Sequence, residues 1–172
     1  MWNVIMEEAS AESSLWKASL RPEGSRELLP IFSPLGNPRF ALGLETIYEG
    51  YLVHYGRPRL FAPPDQDTGL LLGDYLYAHG LLRISSAGDV SAVADLSELI
   101  SLCGQLRAAN AGGDGPLWAA TAALLGAGPQ LDEPRAALRL HGDAALLEAV
   151  ARAAAGDEPV ERALAAHTLR LR

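Results

Sequence analysis

The stretch NPRFALGLETIYEGYLVHYG, residues 37–56, carries the clearest helix signals of this chain. Asn37 followed by Pro38 is typical of a helix start, because Asn caps unpaired N–H groups and Pro fits the first turn. Gly56 is typical of the position just after a helix ends. Between these signals, apolar residues recur at helical spacing: Phe40, Leu44, Ile47 and Tyr51. The stretch therefore predicts one well-defined helix that buries an apolar face.

The same punctuation continues along the chain and predicts further helices. A proline-rich loop over residues 56–67 leads to a helix capped by Asp67 or Thr68 and running to Ser85. A helix from Asp89 to Asn110 follows, with Val90, Val93, Leu96, Ile100 and Cys103 as its apolar stripe, and Asp114 starts another. Asp-Glu-Pro occurs at residues 132–134 and 157–159, where each copy is expected to open a helix. The two copies indicate either a helical repeat or ordinary capping. Residues 3–20 and 24–32 are expected to add helices, and since strand signals are nearly absent, the fold class is all-α.

Length and charge restrict the classes of function. The chain has 172 residues, which suits a single helical domain over residues 1–172, and a net charge of −7. An acidic chain with no cluster of basic residues is not expected to bind nucleic acid. No targeting or transmembrane segment is predicted. One cysteine, Cys103, forms no internal disulfide and agrees with a cytoplasmic protein.

Residues 43–110 resemble the polyprenyl synthetases, the trans-isoprenyl diphosphate synthase family. The segment GDYLYAHGLLRI, residues 73–84, matches the Gly-Asp-aromatic motif of that family. Gly56-x-Pro58 lies 17 residues upstream, where the family has its Gly-x-Pro-Thr. The segment ETIYE, residues 45–49, lies 11 residues further upstream, in the place of the first aspartate-rich motif. The resemblance implies a helical bundle similar to the front half of an isoprenoid synthase fold, with residues 129–172 as extra Ala-rich helices.

Family enzymes hold the diphosphate of their substrate through Mg²⁺ ions bound by aspartate-rich motifs. The resemblance therefore implies that Glu45 and Glu49, four residues apart on one helix face, are the remnant of a metal site. The alternative is that this pair is simply the solvent face of the helix. No cofactor is expected, and Mg²⁺ would be one only if the protein binds a prenyl diphosphate or transfers a prenyl group. The remnant substrate-binding residues implied by the resemblance are Tyr48, Arg57, Arg59 and Asp74.

Much of the family's catalytic equipment is missing. The second aspartate-rich motif is absent, His54 and Tyr55 stand in place of paired arginines, and Lys17 is the single lysine. No catalytic residue is therefore assigned. The expected function is that of a non-catalytic pseudoenzyme, a partner subunit that regulates another protein or a homodimeric interaction module. The alternative is a Mg²⁺-dependent prenyl diphosphate binding protein, or a prenyltransferase with a rebuilt site.

Three other residue types have a structural and a chemical interpretation. Five tyrosines are expected either to line a pocket for an apolar chain or to pack in the core: Tyr48, Tyr51, Tyr55, Tyr75 and Tyr77. Cys103 lies on an apolar stripe and is expected to be a buried, unreactive thiol. The four histidines show no zinc-ligand spacing.

Overall fold

The computed structural model describes residues 1–171, and these residues form an assembly of nine α-helices without a named strand. The predicted all-α fold is confirmed. Short 3₁₀ turns lie at Glu23–Ser25, Ser33–Leu35, Pro38–Phe40 and Pro129–Leu131. The helices are α1 (Trp2–Glu12), α2 (Ser14–Ala18), α3 (Ala41–Tyr55), α4 (Gln66–Ser86), α5 (Val90–Ala108), α6 (Asp114–Leu124), α7 (Asp132–His141), α8 (Ala145–Ala155) and α9 (Asp157–Arg170).

The helix starts largely follow the sequence signals. Asn37 accepts a hydrogen bond from the backbone N–H of Arg39 at 3.0 Å, and the turn that it caps leads directly into α3. Asp89 caps α5 in the same way. Both Asp-Glu-Pro segments open helices, α7 and α9, with α8 between them.

Two details of the helix predictions were wrong. The cap of α4 is Asp65 rather than Asp67 or Thr68, and Asp65 accepts from the N–H of Thr68 at 2.7 Å. Val90 was placed on the buried stripe of α5, but it is exposed. As the first residue of its helix, Val90 precedes the region where α5 packs on its neighbours.

The expected helix over residues 24–32 does not form. After the 3₁₀ turn Glu23–Ser25, residues 26–33 cross the molecule without forming an α-helix, and we call this segment the strap. Its backbone N–H groups find partners outside the strap: that of Glu27 donates to the carbonyl of Arg59 at 3.2 Å, and that of Ile31 donates to the side chain of Glu45 at 3.0 Å. These hydrogen bonds replace the ones that a helix would have made.

Helix α3 lies at the centre of the fold. Every residue over positions 43–52 is buried, so the helix has no solvent face along this length. The largest apolar cluster contains the inner side chains of α3, α5, α6 and the C-terminal helices. A second cluster packs α1 and α2 against α4. Any polar side chain in the middle of α3 must therefore be satisfied by other parts of the protein.

Glycines allow α3 and α4 to pack closely. A β-carbon added at Gly80 of α4 would lie 2.9 Å from the carbonyl oxygen of Gly43 and 2.3 Å from Ile47 of α3. A β-carbon at Gly50 of α3 would lie 2.9 Å from the carbonyl oxygen of Gly73. Because Gly43 faces Gly80 and Gly50 faces Gly73, the two helices run antiparallel. Gly73, part of the motif that carries the family resemblance, thus has a packing role here.

Replacing Gly80 by alanine is expected to destabilise the protein by about 1–3 kcal/mol, because the added methyl overpacks the contact between α3 and α4. The matched control is Gly104→Ala in α5, where an added β-carbon meets nothing closer than 3.9 Å. That substitution is expected to stabilise the protein by roughly 0.5–1 kcal/mol through helix propensity. Urea unfolding of the two variants measures both effects. Equal changes of the same sign would contradict the close contact.

None of the helices within residues 1–171 is long and apolar enough to cross a lipid bilayer. The absence of a predicted transmembrane segment agrees with this finding.

Candidate functional site

Glu45 and Glu49 form a buried ion-pair cluster with Arg59. The Nη1 of Arg59 lies 2.5 Å from Glu45 Oε2, and its Nε lies 2.9 Å from Glu49 Oε2. All three side chains have 0% of their surface exposed. The guanidinium lies between the two carboxylates, which are one helical turn apart on α3. We call these three residues the buried charge cluster.

The remaining oxygens of both carboxylates also have partners. Glu45 Oε1 accepts from the backbone N–H groups of Ile31 and Ser33, each at 3.0 Å. Glu49 Oε1 accepts from the N–H of Leu60 at 2.7 Å. Every carboxylate oxygen of the pair is therefore engaged, and the strap and the loop after α3 are both attached to α3 through these contacts.

Arg59 is equally well satisfied. Its Nη1 and Nη2 donate to the backbone carbonyls of Leu29 and Glu45, each at 3.2 Å. Its guanidinium carbon lies 4.7 Å from the ring centroid of Trp2 and 5.1 Å from that of Tyr48. These distances are typical of cation–π contacts, which suit the planar guanidinium better than a lysine ammonium.

The cluster differs from both interpretations of the glutamate pair. Glu45 and Glu49 do not lie on a solvent face, and a guanidinium stands where the prediction placed Mg²⁺. A metal ion there would have to displace Arg59 and leave that cation buried without partners. Over residues 1–171 the structure holds no group of three or more His, Cys, Asp or Glu side chains suited to a metal ion.

The other predicted substrate-binding residues do not converge on one site. Tyr48 is buried beside Arg59, and its hydroxyl lies 2.9 Å from Nδ1 of His167. Asp74 is exposed on α4, where one carboxylate oxygen lies 3.2 Å from Nε2 of His54. Arg57 is exposed and lines a surface groove. The structure thus brings Tyr48 and Arg59 together and leaves Arg57 and Asp74 apart on the surface.

His54 has an altered titration. Its burial lowers the pKa of the imidazole, and this effect outweighs the opposing influence of the Asp74 carboxylate. The ring lies over Gly73, where an added β-carbon would be 2.4 Å from Nε2. The Gly-Asp pair of α4 therefore lies against this one histidine, Gly73 beneath its ring and Asp74 beside its Nε2.

A second buried polar network links α3, α5, α6 and α9. The carboxylate of Asp114 accepts from the hydroxyl of Tyr51 and from the guanidinium of Arg107. Arg107 also donates to the Tyr51 hydroxyl, from Nε at 2.9 Å and from Nη2 at 2.6 Å. Nε2 of His167 lies 3.4 Å from Asp114, which is long for a hydrogen bond. Through Tyr48 and Tyr51 the network ties α9 to the central helix.

Burial alone would raise the pKa of Asp114. The contacts with His167 and Tyr51, together with the charges of His167 and Arg107, outweigh burial and hold the pKa well below its usual range. Burial and the Asp114 carboxylate raise the pKa of Tyr51. Asp114 is thus a stable anion and Tyr51 a stable phenol at neutral pH.

Sequence reasoning missed this network. Tyr48 and His167 are 119 positions apart, and nothing local in the sequence connects them. Of the two interpretations of the tyrosines, packing in the core applies to Tyr48 and Tyr51, because both rings pack against Trp118. Cys103 is buried as predicted, and burial raises the pKa of its thiol.

Comparison of the chain with protein-family models, with curated proteins and with solved structures gives no significant match. The resemblance to the polyprenyl synthetases therefore stays a prediction that depends on the spacing of its motifs.

Replacing Arg59 by methionine is expected to destabilise the protein by about 3–5 kcal/mol, because two buried carboxylates lose their common cation. Urea unfolding at neutral pH measures the change. Arg57→Met is the control two positions earlier, where the side chain is exposed, and its expected effect is under about 1 kcal/mol. Similar losses in both variants would contradict the assignment of the buried charge cluster as a stabilising element.

Asp114→Asn is expected to make the free energy of unfolding less dependent on pH in the acid range. The folded state lowers the pKa of Asp114, so its contribution is complete above the unfolded value of about 3.9 and is lost as pH falls toward the folded value. The variant should therefore be less stable than the parent at pH 7, and the difference should shrink below about pH 4. Urea titrations from neutral to acid pH measure this, with Glu161→Gln, an exposed position on α9, as control. A difference that stays constant with pH would contradict the prediction.

Proposed function

We propose that this chain is a non-catalytic helical protein that acts by binding another polypeptide, as a partner subunit or as a homodimer. The observation that supports the proposal is the position of Arg59, whose guanidinium neutralises Glu45 and Glu49 inside the protein. These are the two carboxylates that the family resemblance assigns to metal binding. In this chain they contribute to stability instead.

Diphosphate chemistry needs a metal ion and cations that a substrate can reach. The buried charge cluster offers neither, since its carboxylate oxygens are all engaged and its guanidinium is buried. The alternative of Mg²⁺-dependent prenyl diphosphate binding at these residues would require the cluster to open.

A binding surface is available on the outer face of α4. Leu71, Ala78 and Leu82 recur at positions i, i+7 and i+11 and therefore share one face of the helix. Leu71 is 57% exposed and Leu82 is 61% exposed. We call these three residues the α4 row. An exposed apolar row of this kind is typical of a helix that packs against another protein.

The homodimer form of the proposal predicts concentration-dependent self-association. Replacing both leucines of the α4 row by glutamate should shift sedimentation toward the monomer, because each buried carboxylate would oppose the contact. Leu140→Glu is the matched control, since Leu140 is also an exposed leucine and lies on a different helix, α7. A wild-type protein that stays monomeric would contradict the homodimer, and only the partner-subunit form of the proposal would remain.

The same preparation tests the non-catalytic part of the proposal. Incubation with Mg²⁺, an allylic diphosphate and isopentenyl diphosphate is expected to give no condensation product. A product that disappears in Glu45→Gln, while the variant keeps its helical circular dichroism, would overturn the proposal.

A further inference from the structure

The strap and helix α9 enclose a groove on the surface of the protein. The groove has a volume of about 580 Å³, within the range of roughly 300–1,000 Å³ that is typical of small-ligand sites. The strap supplies one wall through Leu29, Pro30 and Ile31, and α9 supplies the other through Ala163, Ala166 and Leu169. We call this feature the α9 groove.

The α9 groove has an apolar surface that no part of the described chain covers. Leu29 is 75% exposed at one rim, and Leu169 is 58% exposed at the other. Between them the alanines of α9 leave room above the helix, since their side chains end at the β-carbon. Binding of an apolar group that displaces water from these exposed side chains is favourable, because it removes apolar surface from water.

Positive charge borders the groove, although the chain as a whole carries a net charge of −7. Arg57, Arg162 and Arg170 line it, together with one carboxylate, Glu27. The guanidinium of Arg170 pairs with Glu27, and that of Arg162 pairs with Glu158 of its own helix. Within residues 1–171 no carboxylate pairs with Arg57, whose Nη2 donates to the carbonyl of Leu169 at 2.8 Å. Arg57 therefore keeps further N–H donors for an anion beside the apolar rim.

We propose that the α9 groove binds a free single-chain amphiphile, with the hydrocarbon chain between the strap and α9 and an anionic head group on Arg57. The head group is a phosphate, which the planar guanidinium binds through paired hydrogen bonds. This site is separate from the α4 row, so its occupancy does not depend on the proposed protein–protein contact.

A free amphiphile fits the charges better than a lipid in an anionic membrane. A membrane of anionic lipids would face the negative charge of the whole chain, whereas a single molecule meets only the local positive border of the groove. The groove also has the volume of a small-molecule site, and Arg57, with which no carboxylate within residues 1–171 pairs, matches a single head group.

Isothermal titration calorimetry with decyl phosphate, below its micelle concentration, tests the proposal on the full chain. The expected dissociation constant is about 10–100 µM, from the affinity per atom that ligands of this size reach. Decanol, which lacks the charge, and inorganic phosphate, which lacks the chain, are each expected to bind at least about tenfold more weakly. Vesicles of anionic phospholipid are expected to leave the protein unbound in a flotation assay.

Two pairs of variants locate the ligand. Ala165→Trp fills the groove from α9 and should abolish binding, whereas Ala153→Trp, at an exposed alanine of α8, should leave it unchanged. Arg57→Gln should weaken decyl phosphate about tenfold and leave decanol unaffected, whereas Arg162→Gln should have a smaller effect because Arg162 is already paired.

Each opposite result overturns part of the proposal. If decyl phosphate gives no binding heat, the groove does not bind such an amphiphile, and an acidic helix of another protein becomes the occupant to test. Equal binding of decyl phosphate and decanol, or a larger loss in Arg162→Gln than in Arg57→Gln, would exclude the head-group position. Binding only to vesicles would assign the groove to membrane lipid instead.

Discussion

Burying two carboxylates in the middle of a helix is the constraint on which the rest of this structure depends. Glu45 and Glu49 lie on α3, which is surrounded by protein over residues 43–52, so water cannot solvate them. A buried charge without a partner costs several kcal/mol, and the fold must bring a cation and several N–H groups to these positions. Arg59 supplies the cation, and the backbone of the strap and of the following loop supplies the N–H groups.

This requirement explains why the strap is not helical. Residues 31 and 33 give their N–H groups to Glu45, and Glu27 gives its own to the carbonyl of Arg59. The strap is thereby fixed across α3 at a position where α9 also packs, through the contact of Tyr48 with His167. The α9 groove lies between these two elements. The buried carboxylate of Glu45 thus attaches the strap that forms one wall of the α9 groove.

The local signals in the sequence were sufficient for several helix starts but not for the strap or for the site. Asn37 and Asp89 mark helix starts by accepting hydrogen bonds from backbone N–H groups two or three residues later, so their roles are readable from short segments. The role of Glu45 depends on Arg59, 14 residues away in the chain, and on the direction in which α3 faces. An i, i+4 glutamate pair looks the same whether it meets water, a metal ion or an arginine. The apolar periodicity of α3 predicted one buried face, but in the structure every face of this helix is buried over residues 43–52.

Signals within short segments of sequence were enough for the all-α class and for the starts of α3, α5, α6, α7 and α9, because capping residues, proline and glycine act over a few residues. The apolar spacing along α5 was likewise enough to predict that Cys103 is buried. The other features depend on contacts between distant parts of the chain: α3 is central, Gly43 and Gly50 meet Gly80 and Gly73, and Arg59 neutralises both glutamates. The tertiary structure also placed His167 beside Asp114 and opened the groove along α9. Each of these features needs groups far apart in the chain to meet, and their energies depend on burial, which no short segment of sequence specifies.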